Sequence, residues 1–396
     1  MNQKIRKYFK GDAVIWAVII LLSIFSLLTV YSATGSLAYR YQGGNTYYYM
    51  VNHATRLLIG FVIIYAIHLI PYKYFSRLSQ LFLIISIPLL VITLFFGTSI
   101  NQASRWLTIP GLGFTIQPSD LAKLALIMYL ARILSQKQDK IEDYKESFLP
   151  AIVPVIIVCA LILPANLSTA LMLFTVSLLL MFIARIRLKH LFAFSGIMIT
   201  LLALFTAIVM THDLGGRVET WKHRIESFVN GDKEDNYQVS QAKIAIVNGG
   251  FVQLRPGKSI QRNFIPHPYS DFIFAIIIEE YGLTGAIIII TLYLYLLFRA
   301  AVMVRKSSRT FPAFLAMGLA LLITFQAMIN MAVAINLIPV TGQPLPMISW
   351  GGSSMLFTCA SFGVILSVSR GIKEQNKLNA DTNAGVDYEE EQQNNH

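Results

Sequence analysis

The chain has 396 residues, 55% of them hydrophobic and only 13% charged. A soluble domain carries about 25% charged residues, so an ordinary soluble enzyme is excluded, as are disordered and collagen-like chains. The formal charge of +11 leaves two readings: a basic surface for an anionic ligand, or the Lys/Arg excess that orients a membrane protein.

Apolar runs place membrane spans near 14–33, 48–70, 77–97, 118–136, 148–163, 167–184, 188–211, 271–298, 311–338 and 347–369. The expected fold is an all-α polytopic membrane protein of about ten helices. Residues 1–373 form its single membrane domain, with one large outer loop at about 212–270 between spans seven and eight. The tail at 374–396 is rich in Asn, Gln and Glu and is expected to be disordered. The basic start runs directly into the first span without a small-residue cleavage site and reads as a signal anchor. Cys159 and Cys359 fall inside spans and read as packing residues rather than a disulfide.

An even number of spans puts both termini on one side, and the charges choose that side. Of the 32 Lys and Arg residues, 20 sit at the termini and in the alternate connections that contain Lys73, Arg132, Arg185 and Arg309. By the positive-inside rule these segments are cytoplasmic. The charge of +11 is thus mostly an orientation signal, and nucleic-acid binding loses its support.

Ionisable groups within spans are costly and are functional candidates. They are Arg56, Asp120, Lys123, Asp271, Glu279 and Glu280. Asp120 and Lys123 lie three apart on one helix face, as an internal ion pair or as one wall of a substrate cavity. Gln117, Pro118 and Ser119 precede them at a helix start, which can face an anion. Arg56 sits about 12 Å into the second span, placed either to pair with Asp120 or a glutamate or to meet a phosphate. Asp271 opens the eighth span at its outer mouth. There a carboxylate is wet enough to stay ionised and accept a proton, although a helix cap is the simpler role. Glu279 lies about 12 Å deeper, and Glu280 points nearly opposite Asp271.

The outer loop gathers Asn248-Gly249-Gly250, then Arg255-Pro256-Gly257-Lys258-Ser259, then Arg262. Its glycines allow close backbone approach, and its cations suit phosphate. Its apolar stretches indicate that it rests on the membrane or the helix bundle. The last outer connection is rigid, Pro339 to Pro346, and is followed by Ser349-Trp350-Gly351-Gly352-Ser353-Ser354, where small residues permit helix contact or line a substrate.

These motifs together resemble the SEDS family of bacterial cell-wall polymerases, whose members serve division, elongation or sporulation. The resemblance is carried by Ala103-Ser104-Arg105-Trp106, by Gln117 to Lys123, by Tyr237-Gln238 with Gln241 and Gly249-Gly250, by Pro266 through Asp271 to Glu279, Glu280 and Gly282, and by Pro339 to Ser354. It covers roughly 12–372. Ser270 to Ala275 and Thr341-Gly342-Gln343 look more like the division member than the elongation member. The chain departs from the family pattern at Asp120, which replaces a glutamate, and at Asn166, which replaces an acidic residue.

The resemblance implies a peptidoglycan glycosyltransferase acting on lipid II at the outer face of the cytoplasmic membrane, at the division septum. It implies Asp271 as general base in an inverting single displacement. Arg105, Lys123, Lys258 and Arg262, with Ser119 and Gln117, become candidates for the pyrophosphate, together with a divalent cation such as Mg or Mn. Asp120, Arg56, Glu279, Glu280, Ser349 and Ser353 would support the cavity. The implied partners are a class B penicillin-binding protein transpeptidase, other division proteins and membrane lipid. A lipid II flippase and a non-catalytic division scaffold are the alternatives.

Overall fold

Helix α1 (Ala13–Ala33) begins where Asp12 accepts the Val14 amide at 2.9 Å, a side-chain cap that closes one free donor. Asp12 also pairs with Arg299, tying the chain start to a distant helix. A computed structural model describes residues 10–100, 103–108, 115–211, 222 and 235–394. After α1 come a short helix α2 (Gly35–Tyr41) and two long apolar helices, α3 (Thr46–Leu69) and α4 (Lys73–Phe96). The connection that follows folds into a small antiparallel sheet, β1 (Thr98–Ile100), β2 (Ala103–Thr108) and β3 (Thr115–Ile116). Thr98 pairs with Trp106 and Leu107 with Ile116. These three short strands interrupt an otherwise mostly helical chain.

Then follow α5 (Pro118–Gln136), α6 (Leu149–Ile162), α7 (Leu167–Ile183) and α8 (Leu188–Thr211). Most of the expected outer loop's first half, including residues 212–221 and 223–234, lies outside the described residues. Its second half forms α9 (Asp235–Gly249), which packs on α10 (Ile273–Lys306). Helices α11 (Thr310–Ala334) and α12 (Ser353–Asn394) complete the bundle.

Eight of the described helices are long and apolar enough to cross a membrane. Helix α7, with 17 residues, is shorter, and α5 carries Asp120, Lys123 and Arg132. Helix α11 is the centre of the bundle, with 83% of its apolar window buried, against 6% for α8. Helices α3 and α12 approach closely through Gly60 and Gly363. A side chain at Gly363 would collide with Ile67, at 2.8 Å.

Three helix ends differ from the sequence expectation, each for a local reason. Helix α10 starts at Ile273 rather than 271, because the Tyr269, Ser270 and Asp271 carbonyls bond sideways to other elements. Helix α12 starts at Ser353 rather than 347: Pro344 and Pro346 interrupt the chain, and Met347 has a φ of 65°. Leu345, Met347 and Ile348 are nevertheless fully enclosed, as irregular backbone in a membrane protein must be. At the other end, α12 runs on through the tail expected to lack order from 374, to Asn394. Lys, Gln and Glu are good helix formers and extend an established helix at little cost.

Candidate functional site

The chain just before α10 is pinned at three successive carbonyls. The Trp350 amide donates to Tyr269 at 2.9 Å. The Ser349 hydroxyl donates to Ser270 at 2.6 Å, and the Asn330 amide nitrogen donates to Asp271 at 2.9 Å. Asn330 also donates to the Gln343 carbonyl at 2.8 Å, and Ser349 accepts the Leu345 amide at 2.7 Å. Helix α11 and the 343–350 loop therefore fix the Asp271 backbone from two sides, and its side chain is half-buried. The helix N-cap is Phe272, with no side-chain cap bond.

Above this clamp stands an aromatic cluster. Trp350 meets Tyr269 edge-on at 5.0 Å and Tyr49 at 5.3 Å between ring centroids. The Arg56 guanidinium carbon lies 5.4 Å from the Trp350 ring centroid. Arg56 makes no ion pair among the described residues, so neither Asp120 nor a described glutamate is its partner; its charge rests on a π face. A half-buried cation held this way keeps its charge available for an anion.

Lys123 is placed differently. It pairs with Asp120 at 2.8 Å and donates to Gln326 at 3.2 Å, with Lys123 only 5% exposed and Asp120 4%. Gln326 passes the connection on to the Pro344 carbonyl at 3.1 Å. The adjoining cavity is about 20 Å³, room for one water and not for a phosphate. Gln117 donates through its backbone to Ser353 at 3.0 Å and through its side chain to Ser119 at 3.0 Å. Gln117, Ser119, Asp120, Lys123, Ser349 and Ser353 thus fasten α5 and α11 to the last outer connection. In this arrangement their side chains bond within the fold.

Glu279 and Glu280 are likewise bonded within the fold. Glu279 accepts from the Ser259 hydroxyl, the Ile260 amide at 3.0 Å and the Gln261 amide at 3.2 Å. Glu280 accepts from the Ser32 hydroxyl and from the Ser259 amide at 3.2 Å. Arg262 donates to the Ser32 carbonyl and hydroxyl, both at 3.0 Å. Gly282 breaks α10 with a φ of 67°, and the amides that follow find loop carbonyls: Leu283 donates to Gly250 at 3.0 Å and Thr284 to Phe251 at 3.3 Å. A side chain at Gly282 would sit 2.8 Å from the Gln253 nitrogen, so the residue must be glycine on both counts. This cluster clamps the outer loop to α10. Lys258, by contrast, is exposed on that loop.

Arg105 donates to the Ala165 carbonyl at 2.8 Å. It stands at the edge of a groove of about 410 Å³ whose walls include Leu171, Phe325, Ile338 and Thr341. The Thr341 hydroxyl is buried there without a hydrogen-bond partner. Among the described residues no three His, Cys, Asp or Glu side chains converge as a metal cage.

Sequence reasoning missed Asn330, Gln326 and Trp350 as site-building groups. Gln326 and Asn330 lie one turn apart on an apolar helix, a signal that neutral polar residues carry as well as charged ones.

The family model described as cell cycle protein, covering FtsW, RodA and SpoVE, matches residues 12–374. A probable peptidoglycan glycosyltransferase FtsW of Trichlorobacter lovleyi is 33% identical, over 94% of this chain and 97% of that protein. The stage V sporulation protein E of Bacillus subtilis is 32% identical, over 91% and 97%. Among solved structures, the rod shape determining protein RodA of Thermus thermophilus matches with a TM-score of 0.66 at 22% identity, covering 92% of this chain and 98% of that one. A chain from a study of polymerization and crosslinking by a peptidoglycan synthase complex matches with a TM-score of 0.69 at 23% identity, over 91% and 98%. The chain belongs to the FtsW, RodA and SpoVE family of integral membrane proteins.

Proposed function

We propose that the protein is a peptidoglycan glycosyltransferase that polymerises lipid II on the outer face of the bacterial cytoplasmic membrane, at the division septum. The carrying observation is the half-buried Asp271 carboxylate on a backbone pinned by Ser349, Asn330 and Trp350. In the reaction, the 4-hydroxyl oxygen of the acceptor sugar attacks C1 of the donor sugar. The C1–O bond to pyrophosphate breaks, the electron pair leaves with undecaprenyl pyrophosphate, and Asp271 takes the hydroxyl proton. One displacement inverts the anomeric centre. A pyrophosphate leaving group needs positive charge rather than a proton. Arg56 and Arg105 supply that charge, with Lys258 on the outer loop. The amphipathic groove at Arg105 suits a lipid chain with an anionic end.

Helices α5 and α7 cross the membrane as well in this reading, giving ten spans. Both termini are cytoplasmic, because 20 of the 32 Lys and Arg residues lie at the termini and in the alternate connections. The names of the FtsW relatives and the synthase-complex study support a division role with a crosslinking partner, a class B penicillin-binding protein.

The test is polymerisation of fluorescent lipid II by the full-length protein with its partner. Asp271→Asn is expected to lower the rate by about 10²–10⁴-fold. Polymerisation at the parent rate contradicts the mechanism. Movement of lipid II across vesicles without any linkage by the parent protein would favour a flippase, and full growth complementation by Asp271→Asn would favour a scaffold.

A further inference from the structure

The largest cavity among those described lies at the other end of the bundle, some 26 Å along α12 from its start near the Asp271 platform. It has a volume of about 740 Å³ and is built from three separate segments. The turn into α4 contributes Lys73 and Arg77, the turn into α11 contributes Arg309, and α12 contributes Arg370 with Glu374. Four cations thus face one carboxylate. Its floor is closed where the Tyr72 ring packs on Gly371, with no room for a side chain there.

Three of the four cations lack side-chain partners among the described residues. Lys73, Arg77 and Arg309 make no side-chain hydrogen bond or ion pair among the described residues. Arg370 donates one guanidinium nitrogen to the Leu69 carbonyl at 3.1 Å. Its Nε is buried without a hydrogen-bond partner, and the Glu374 oxygen stands 3.9 Å away, beyond hydrogen-bond reach. A buried guanidinium donor beside three unpaired cations is expensive unless an anion completes the site. Membrane orientation alone requires only that basic residues lie near the inner ends of spans. It does not require that three segments converge their cations on one cavity.

The wall above the cavity indicates what that anion is attached to. Leu81 and Ile84 follow Arg77 by four and seven residues, on the same face of α4, and are 51% and 66% exposed. Phe95, eighteen residues on, continues the stripe at 78% exposed. A molecule with phosphate at Arg77 and hydrocarbon along Leu81 and Ile84 meets both surfaces at once. Exposed Tyr74 at the rim is the kind of residue found at the membrane–water boundary.

We propose that this cavity binds the phosphate headgroup of an anionic phospholipid of the inner leaflet, with its acyl chains against α4. Bound there, the lipid bridges α4, α11 and α12. The inference rests on this end of the bundle facing the cytoplasm, and not on the reaction assigned to Asp271.

The experiment uses the full-length protein in detergent, titrated with cardiolipin and read by native mass spectrometry. Two variants of equal charge are compared. One is Lys73→Gln with Arg77→Gln and Arg309→Gln, which removes no intramolecular side-chain bond. The other is Lys145→Gln with Arg185→Gln and Lys189→Gln, which lies outside the cavity. The cavity variant is expected to bind cardiolipin roughly a hundredfold more weakly, and the second variant within about twofold of the parent. Phosphatidylcholine is expected not to compete, and Asp271→Asn is expected to bind cardiolipin as the parent does. Equal weakening in both triple variants would overturn the proposal, as would competition by phosphatidylcholine. So would displacement of cardiolipin by an acidic peptide at equal charge concentration, which would make the site a peptide-binding one. Thermal melting of both variants within a few degrees of the parent shows that folding is not what changed.

Discussion

Three carboxylates lie within ten residues of one another at the start of α10, and they do opposite things. Glu279 and Glu280 are almost wholly enclosed and spend their oxygens on the Ser259 to Gln261 turn and on Ser32. Asp271 is half-buried, and its backbone carbonyl accepts from Asn330 on α11. An acidic residue in an apolar setting is therefore not in itself a catalytic sign. What separates the two uses is enclosure: the glutamates are buried against a turn, whereas Asp271 is only half-buried.

The sharpest way to break this comparison is to disturb the structural side. Glu279→Ala strips the acceptor from one hydroxyl and two amides, each costing about 1–3 kcal/mol when left buried and unpaired. A fall in melting temperature is expected, with activity lost in proportion to folded protein. Loss of activity at unchanged melting temperature would make Glu279 chemical. Asn330→Leu is a smaller change. It frees the Asp271 and Gln343 carbonyls together, and a rate loss of about 10²-fold is expected from misplacement, with a modest fall in stability. Unchanged turnover would show that Asp271 is positioned without the clamp. Arg56→Gln is the smallest change. Its cation–π contact contributes about 0.5–2 kcal/mol, so the fold persists. The expected outcome is weaker productive binding of a pyrophosphate-linked donor, read as a KM that rises less for Arg56→Lys than for Arg56→Gln.

The legible part of the molecule was that which local pattern controls. Apolar runs located the long helices, and the positions of Asp271 and of the Pro339 to Ser354 connection marked the outer site. What was not legible depends on contacts across the fold. Arg56 and Trp350 are nearly 300 residues apart, and nothing near Arg56 announces an aromatic partner. Glu279 was read as a cavity acid because its donors belong to a loop about twenty residues upstream. The small sheet at 98–116 has strands of two to six residues, too short for periodicity to reveal. Asn330 was overlooked because only ionisable residues were weighed inside spans, although a neutral amide can satisfy two carbonyls at once.

The central claim is that Asp271 acts on substrate while the neighbouring glutamates act on the fold. It is tested most directly by measuring lipid II polymerisation and thermal melting on the same preparations of the parent protein and Asp271→Asn, each with its partner. The prediction is a rate about 10²–10⁴-fold lower with the melting temperature unchanged. Polymerisation at the parent rate, or a rate loss fully explained by unfolding, would contradict it.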